Sequence, residues 1–76
     1  MRVRIRLSTF ERAYYSNKTL RYIFRKLEQA DELELIHDCD SQIAREVLSI
    51  VLETLGLFNR RIKVLNMSVV HSENCS

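Results

Sequence analysis

The residues with the most chemical content open the chain: Arg2, Arg4 and Arg6 alternate with Val3, Ile5 and Leu7. In an extended strand, alternate side chains share a face and stand roughly 6–7 Å apart. Three guanidinium groups therefore line one face and three apolar side chains the other. That spacing matches successive phosphates of a nucleic-acid strand, and each planar fork suits phosphate oxygens. The same row on an edge strand also blocks edge-to-edge pairing and keeps a small domain soluble, so spacing alone leaves both readings open. Arg60, Arg61 and Lys63 stand at the start of a last apolar segment. Antiparallel pairing of the first and last strands would merge the two sets into one basic surface. Arg12, Lys18, Arg21, Arg25 and Lys26 extend it around the first helix.

Base recognition has less support. RNA-recognition sheets place aromatics on the open face, and here arginines hold those positions. Tyr14, Tyr15 and Tyr22 are the exposed aromatic candidates, although tyrosines on a helix more often serve packing. His37, Cys39, His71 and Cys75 are the residue types of a tetrahedral zinc site, but they lack the tight pairs such sites use. No third orienting group or oxyanion hole accompanies them as nucleophile and base. Asp31, Glu32, Glu34, Asp38 and Asp40 form an acidic cluster without the glycine that a calcium loop needs. A single glycine cannot build a phosphate-cradling loop or a dinucleotide fingerprint. The expectation is no enzyme, no metal, no cofactor and no small-molecule substrate.

The elements that must position these residues form one small domain. The 76 residues are 46% apolar and 29% charged, with one glycine and no proline, which is neither disordered nor low-complexity composition. A chain this short buries only about 60% of its unfolded surface, so the core is thin. No apolar run nears the roughly 20 residues of a membrane span. Two cysteines make no disulfide framework, and a reducing compartment in which neither cysteine holds the fold is expected. The Arg-rich, acid-poor start has the composition of a mitochondrial presequence, but its strict alternation reads as folded strand.

Residues 2 to 7 are that strand. Ser8-Thr9-Phe10-Glu11 has the spacing of a capping box, with a helix from Thr9. Leu20, Ile23, Phe24 and Leu27 form a helical stripe, and Ser16, Asn17 and Thr19 allow a restart near Asn17. Leu33 to Ile36 is a short strand. Asp40 caps a second helix over 41–55, and Gly56 sits where a helix end wants positive φ. Residues 61 to 70 make the last strand. The fold class is α+β: a small sheet of about three strands covered on one face by two helices, in βαβαβ order. Residues 1–71 form the single domain and 72–76 a flexible tail. Two topologies stay open. A continuous first helix gives a right-handed crossover and a parallel neighbour strand. A helix ending near Lys18, with Thr19 to Arg25 as an extra strand, gives a ferredoxin-like order. The helical spacing favours the first.

Charge is unevenly laid out. Residues 1–30 carry a net +6, residues 31–56 a net −6 and residues 57–76 a net +2. Such blocks either face different partners or complement each other within the fold.

The segment Arg4-Ile5-Arg6-Leu7-Ser8-Thr9-Phe10-Glu11-Arg12 resembles the N-terminal signature of the S-ten family of small-subunit ribosomal proteins. Glu11 stands where that family has Asp, and Arg12 where it has His. Leu35-Ile36-His37-Asp38, the helix through Leu48 and Leu55, and Ile62-Lys63-Val64 resemble its late strand, second helix and last strand. The family's long basic hairpin and its Ser-Pro-His segment have no counterpart here. The resemblance implies an S-ten-like fold and a trimmed constituent of the ribosomal small subunit, as in an organellar, mitochondrial ribosome. It would serve translation in contact with rRNA and neighbouring ribosomal proteins, with no membrane. Phosphate contacts would fall to Arg2, Arg4, Arg6, Arg12, Arg60, Arg61 and Lys63. The alternative is a free-standing, non-enzymatic interaction or regulatory adaptor module, with a dimer as one version.

Overall fold

The computed structural model describes residues 1–56 and the backbone of residues 63–69. The alternation at the start makes strand β1, Arg2–Arg6, with Val3 and Ile5 buried and the three arginines exposed. Leu7 is not the strand's last inward residue. It opens helix α1, Leu7–Tyr15, so the helix begins before Thr9. The expected capping box is not formed. Arg6 occupies the N-cap position without a side-chain bond. Instead Asp38, thirty residues downstream, accepts from the Ser8 amide at 3.0 Å and from the Ser8 hydroxyl. A carboxylate there satisfies an unpaired first-turn amide and faces the positive end of the helix dipole.

Ser16 breaks the helix with an extended backbone, φ −139° and ψ 112°. Its hydroxyl then accepts from the Thr19 amide at 3.3 Å and starts helix α2, Asn17–Glu28. The restart that the sequence allowed near Asn17 is present, and the first helix is not continuous as the helical spacing had favoured. Thr19 to Arg25 is helical, which removes the ferredoxin-like order with a strand there. The stripe behaves as its spacing implies: Ile23 and Leu27 are fully buried, and Leu20 and Phe24 pack against the core from its margin.

Strand β2, Glu32–His37, pairs parallel with β1, placing Arg2 opposite Glu32, Arg4 opposite Glu34 and Arg6 opposite Ile36. Parallel neighbours need a crossover, which α1 and α2 supply. Helix α3, Gln42–Thr54, follows. Ser41 caps it by accepting from the Ala44 amide at 3.1 Å. Asp40, the expected cap, pairs with Arg45 instead. The helix ends as the sequence implies: Gly56 has φ +65°, and its amide donates to the Glu53 carbonyl at 3.0 Å.

The described residues thus form a small α+β arrangement with a parallel strand pair and three helices, one more than expected because Ser16 divides the first. The backbone of β3, Lys63–Val69, runs parallel beside β2, with Lys63 at the register position of Glu32 and an irregularity at Leu35/Ile36. Since β2 lies between the first and last strands, their antiparallel pairing is not formed. Residues 61, 62 and 70, the expected tail 72–76, and Arg60, His71 and Cys75 lie outside the described residues.

Val3, Ile5, Leu33 and Leu35 line the buried face of the strand pair and meet Phe10, Ile23, Leu27, Ala44 and Val51 in one core. Phe10 is 0% exposed. Cys39 is buried. Among the described residues no helix is long and apolar enough to cross a membrane.

Candidate nucleic-acid interface

Parallel register sets the chemistry of the arginine row, because it brings β2's acidic residues beside it. Arg2 Nε donates to Glu32 Oε2 at 2.9 Å. Arg2 Nη1 stands 3.0 Å from Glu34 Oε1, and Arg4 Nε stands 3.0 Å from Glu34 Oε2. The Arg2–Glu34 contact is an ion pair without hydrogen-bond alignment, leaving Oε1 short of a directed donor. Glu34 is only 1% exposed, although it faces away from the apolar core. The hydrogen bond that Arg2 donates to Glu32, reinforced by the charges of Glu34 and Glu32, raises the Arg2 guanidinium above its ordinary pKa. The Met1 amine pairs with Asp31 in the same region.

At this face the basic start and the acidic middle complement each other within the fold. A phosphate approaching Arg2 or Arg4 must compete with a carboxylate already in place. Arg6 differs. It is exposed, its register partner is Ile36, and no ion pair among the described residues involves it. Arg60 and Arg61 lie outside the described residues. The backbone of Lys63 is across β2 from Arg2, both at the register of Glu32.

A second set of cations is free of such pairing among the described residues. Arg12 on α1 and Lys18, Arg21, Arg25 and Lys26 on α2 are all exposed. The ion pairs among the described residues engage none of them. The helical period explains the placement: Ile23 and Leu27 face the core, so residues 18, 21, 25 and 26 face outward. Arg25 and Lys26 also lie in the last turn of α2, where cations suit the helix dipole.

Two concave areas flank this surface. One, of ≈ 590 Å³, is lined by Asn17, Lys18, Arg21, Tyr22 and Arg25. The other, of ≈ 350 Å³, is lined by Thr9, Arg12, Lys18, Thr19 and Tyr22. They meet at Lys18 and Tyr22, and among the described residues no carboxylate lines either. The sequence identified these cations as an extension of the arginine row. The structure makes them a separate surface.

Of the other aromatic candidates, Tyr14 and Tyr15 are exposed and meet edge to face, ring centroids 4.9 Å apart. Tyr14 also borders an apolar recess of ≈ 220 Å³ between α1, α2 and α3, with Leu20, Phe24, Val47 and Ile50. Ile50 is 60% exposed there. The wide apolar face of α3 was legible in the sequence, but the recess depends on how the three helices pack. His37 and Asp38 flank the loop into α3, and Asp38 acts as the α1 cap. No group of three His, Cys, Asp or Glu side chains among the described residues is placed to hold a metal ion.

No family model, curated protein or solved structure matches this chain.

Proposed function

We propose that this chain is a non-enzymatic RNA-binding module that holds the phosphate backbone chiefly on the α1–α2 face, through Arg12, Lys18, Arg21, Arg25 and Lys26. The observation that supports this reading is the set of exposed cations without carboxylate partners among the described residues, around two adjoining concavities. Arg6 joins as a flanking contact. Arg2 and Arg4 contribute less, because Glu32 and Glu34 already neutralise them. The fold we assign it is a three-strand sheet in the order β1-β2-β3, with its helices on one face.

The resemblance of Arg4 to Arg12 sets the context we propose: a constituent of the ribosomal small subunit, in an organellar version, with rRNA and neighbouring ribosomal proteins as partners. A filter-binding titration at low salt tests the RNA contact. Wild type binds structured RNA, K18E/R21E/R25E loses most of that affinity, and R2Q/R4Q keeps most of it. Absence of any RNA affinity in the wild type overturns the reading. Co-sedimentation with small-subunit particles tests the ribosomal setting.

One observation favours a second reading, an interaction adaptor. Exposed Tyr14 and Ile50 border an apolar recess between three helices. A ribonuclease-insensitive homodimer in solution, with no RNA affinity, selects the adaptor over the RNA-binding module.

A further inference from the structure

We propose that the α2 face takes single-stranded nucleic acid, with a base stacked on Tyr22. The inference rests on the RNA-binding reading and adds the form of the ligand and the residue that recognises it. Tyr22 is 52% exposed and sits at the junction of the two concavities. A strand running from one to the other passes over its ring.

Cations line both sides of that crossing. Arg21 and Arg25 border one concavity and Arg12 the other, with Lys18 shared. Residues four apart on a helix stand about 6 Å apart along its axis, so Arg21 and Arg25 are one such step apart and Lys18 and Lys26 two, about 12 Å, and both pairs can follow a backbone. Each concavity also carries a neutral hydrogen-bonding side chain, Asn17 in one and Thr19 in the other. These suit sugar hydroxyls or base edges. Lys26 Nζ lies 5.7 Å from the Tyr22 ring centroid, a cation–π contact that steadies the ring.

A duplex has its base faces stacked on each other and offers this ring nothing beyond phosphate. A single strand offers a π face for every nucleotide, and an aromatic set within a cationic groove is how sequence-tolerant single-strand binders gain affinity. The ring therefore discriminates between ligand forms that the surrounding charges treat alike.

Three probes separate the parts of the argument: a short oligoadenylate, a duplex of equal length and inorganic polyphosphate, each titrated against wild type, Y22F and Y22A. Tyr22 is on the solvent side of α2, and circular dichroism checks that each variant keeps its helices. Y22A is expected to weaken oligoadenylate binding by about 5- to 100-fold. Y22F retains it. Polyphosphate affinity and the salt dependence of oligoadenylate binding do not change. If Y22A binds oligoadenylate as wild type does while charge reversals at Lys18, Arg21 and Arg25 abolish binding, the stacking proposal fails and the phosphate reading survives. Loss of oligoadenylate and polyphosphate together in Y22A also overturns stacking, since the ring would then act through the fold or the charges. A wild type that binds none of the three probes overturns both readings.

Discussion

A carboxylate taken out of water is stable only when cations and donors surround it. Glu34, at 1% exposure, has Arg2 and Arg4 over it, and this arrangement makes asymmetric predictions. The two guanidinium groups are more than half exposed and return to water when the acid is removed. Glu34→Leu, which keeps volume beneath the arginine stems, should therefore change stability by no more than about 1 kcal/mol. R2Q/R4Q strands the buried charge and should destabilise by clearly more, as read from urea midpoints. The reverse order would mean that Glu34 is not the dependent partner. The raised pKa of Arg2 gives a second prediction. A raised base contributes its full stabilisation below its ordinary unfolded value and loses it only as pH rises past the still higher folded value. The stability difference between wild type and R2Q should therefore be equal at about pH 7 and about pH 10. Arg2, Arg4 and Arg6 were legible as an exposed row, because alternation is local information. Their partners were not, because Glu32 and Glu34 reach them only through a parallel register that the sequence does not state.

Elements show the same division between local and distant causes. The β1 alternation, the Leu20–Leu27 stripe and the Gly56 helix end are written within a few residues and appear where the spacing places them. The break at Ser16 was open to either outcome. An extended Ser16 whose hydroxyl recaps the next helix decided it. The start of α1 was misread, because its cap comes from Asp38 across the strand pair and not from the Ser8–Glu11 box. Asp38→Ala should therefore cost about 1–2 kcal/mol, the usual loss for a helix cap. Glu11→Ala should leave the cap intact, since the Ser8 amide and hydroxyl both donate to Asp38. Urea melts of the two variants decide between them, and a larger loss in Glu11→Ala would restore the box. At the other end, nothing among the described residues lies within 4 Å of a Cβ added at Gly56. The cost of Gly56→Ala is then backbone strain alone, about 1 kcal/mol.

Over the whole molecule, the net charge of +2 conceals two different surfaces. On the strand face, Arg2 and Arg4 are balanced by Glu32 and Glu34. On the helical face, five exposed cations are opposed by none of the described ion pairs. The candidate site was legible in the sequence as a list of basic residues. Its location was not, because only pairing within the fold shows which of them retain charge for a partner. Counterion release turns that difference into a measurement. Each phosphate neutralised on a single strand contributes roughly −0.7 to the slope of log affinity against log salt. K18Q/R21Q/R25Q should flatten the slope for single-stranded RNA by about 2, because three contacts cease to release ions. R2Q/R4Q should leave it nearly unchanged, because those arginines exchange one anion for another and release few ions. The opposite pattern, a flattened slope in R2Q/R4Q and an unchanged one in the helical variant, would move the interface back to the strand face and show that RNA displaces Glu34 from its two arginines.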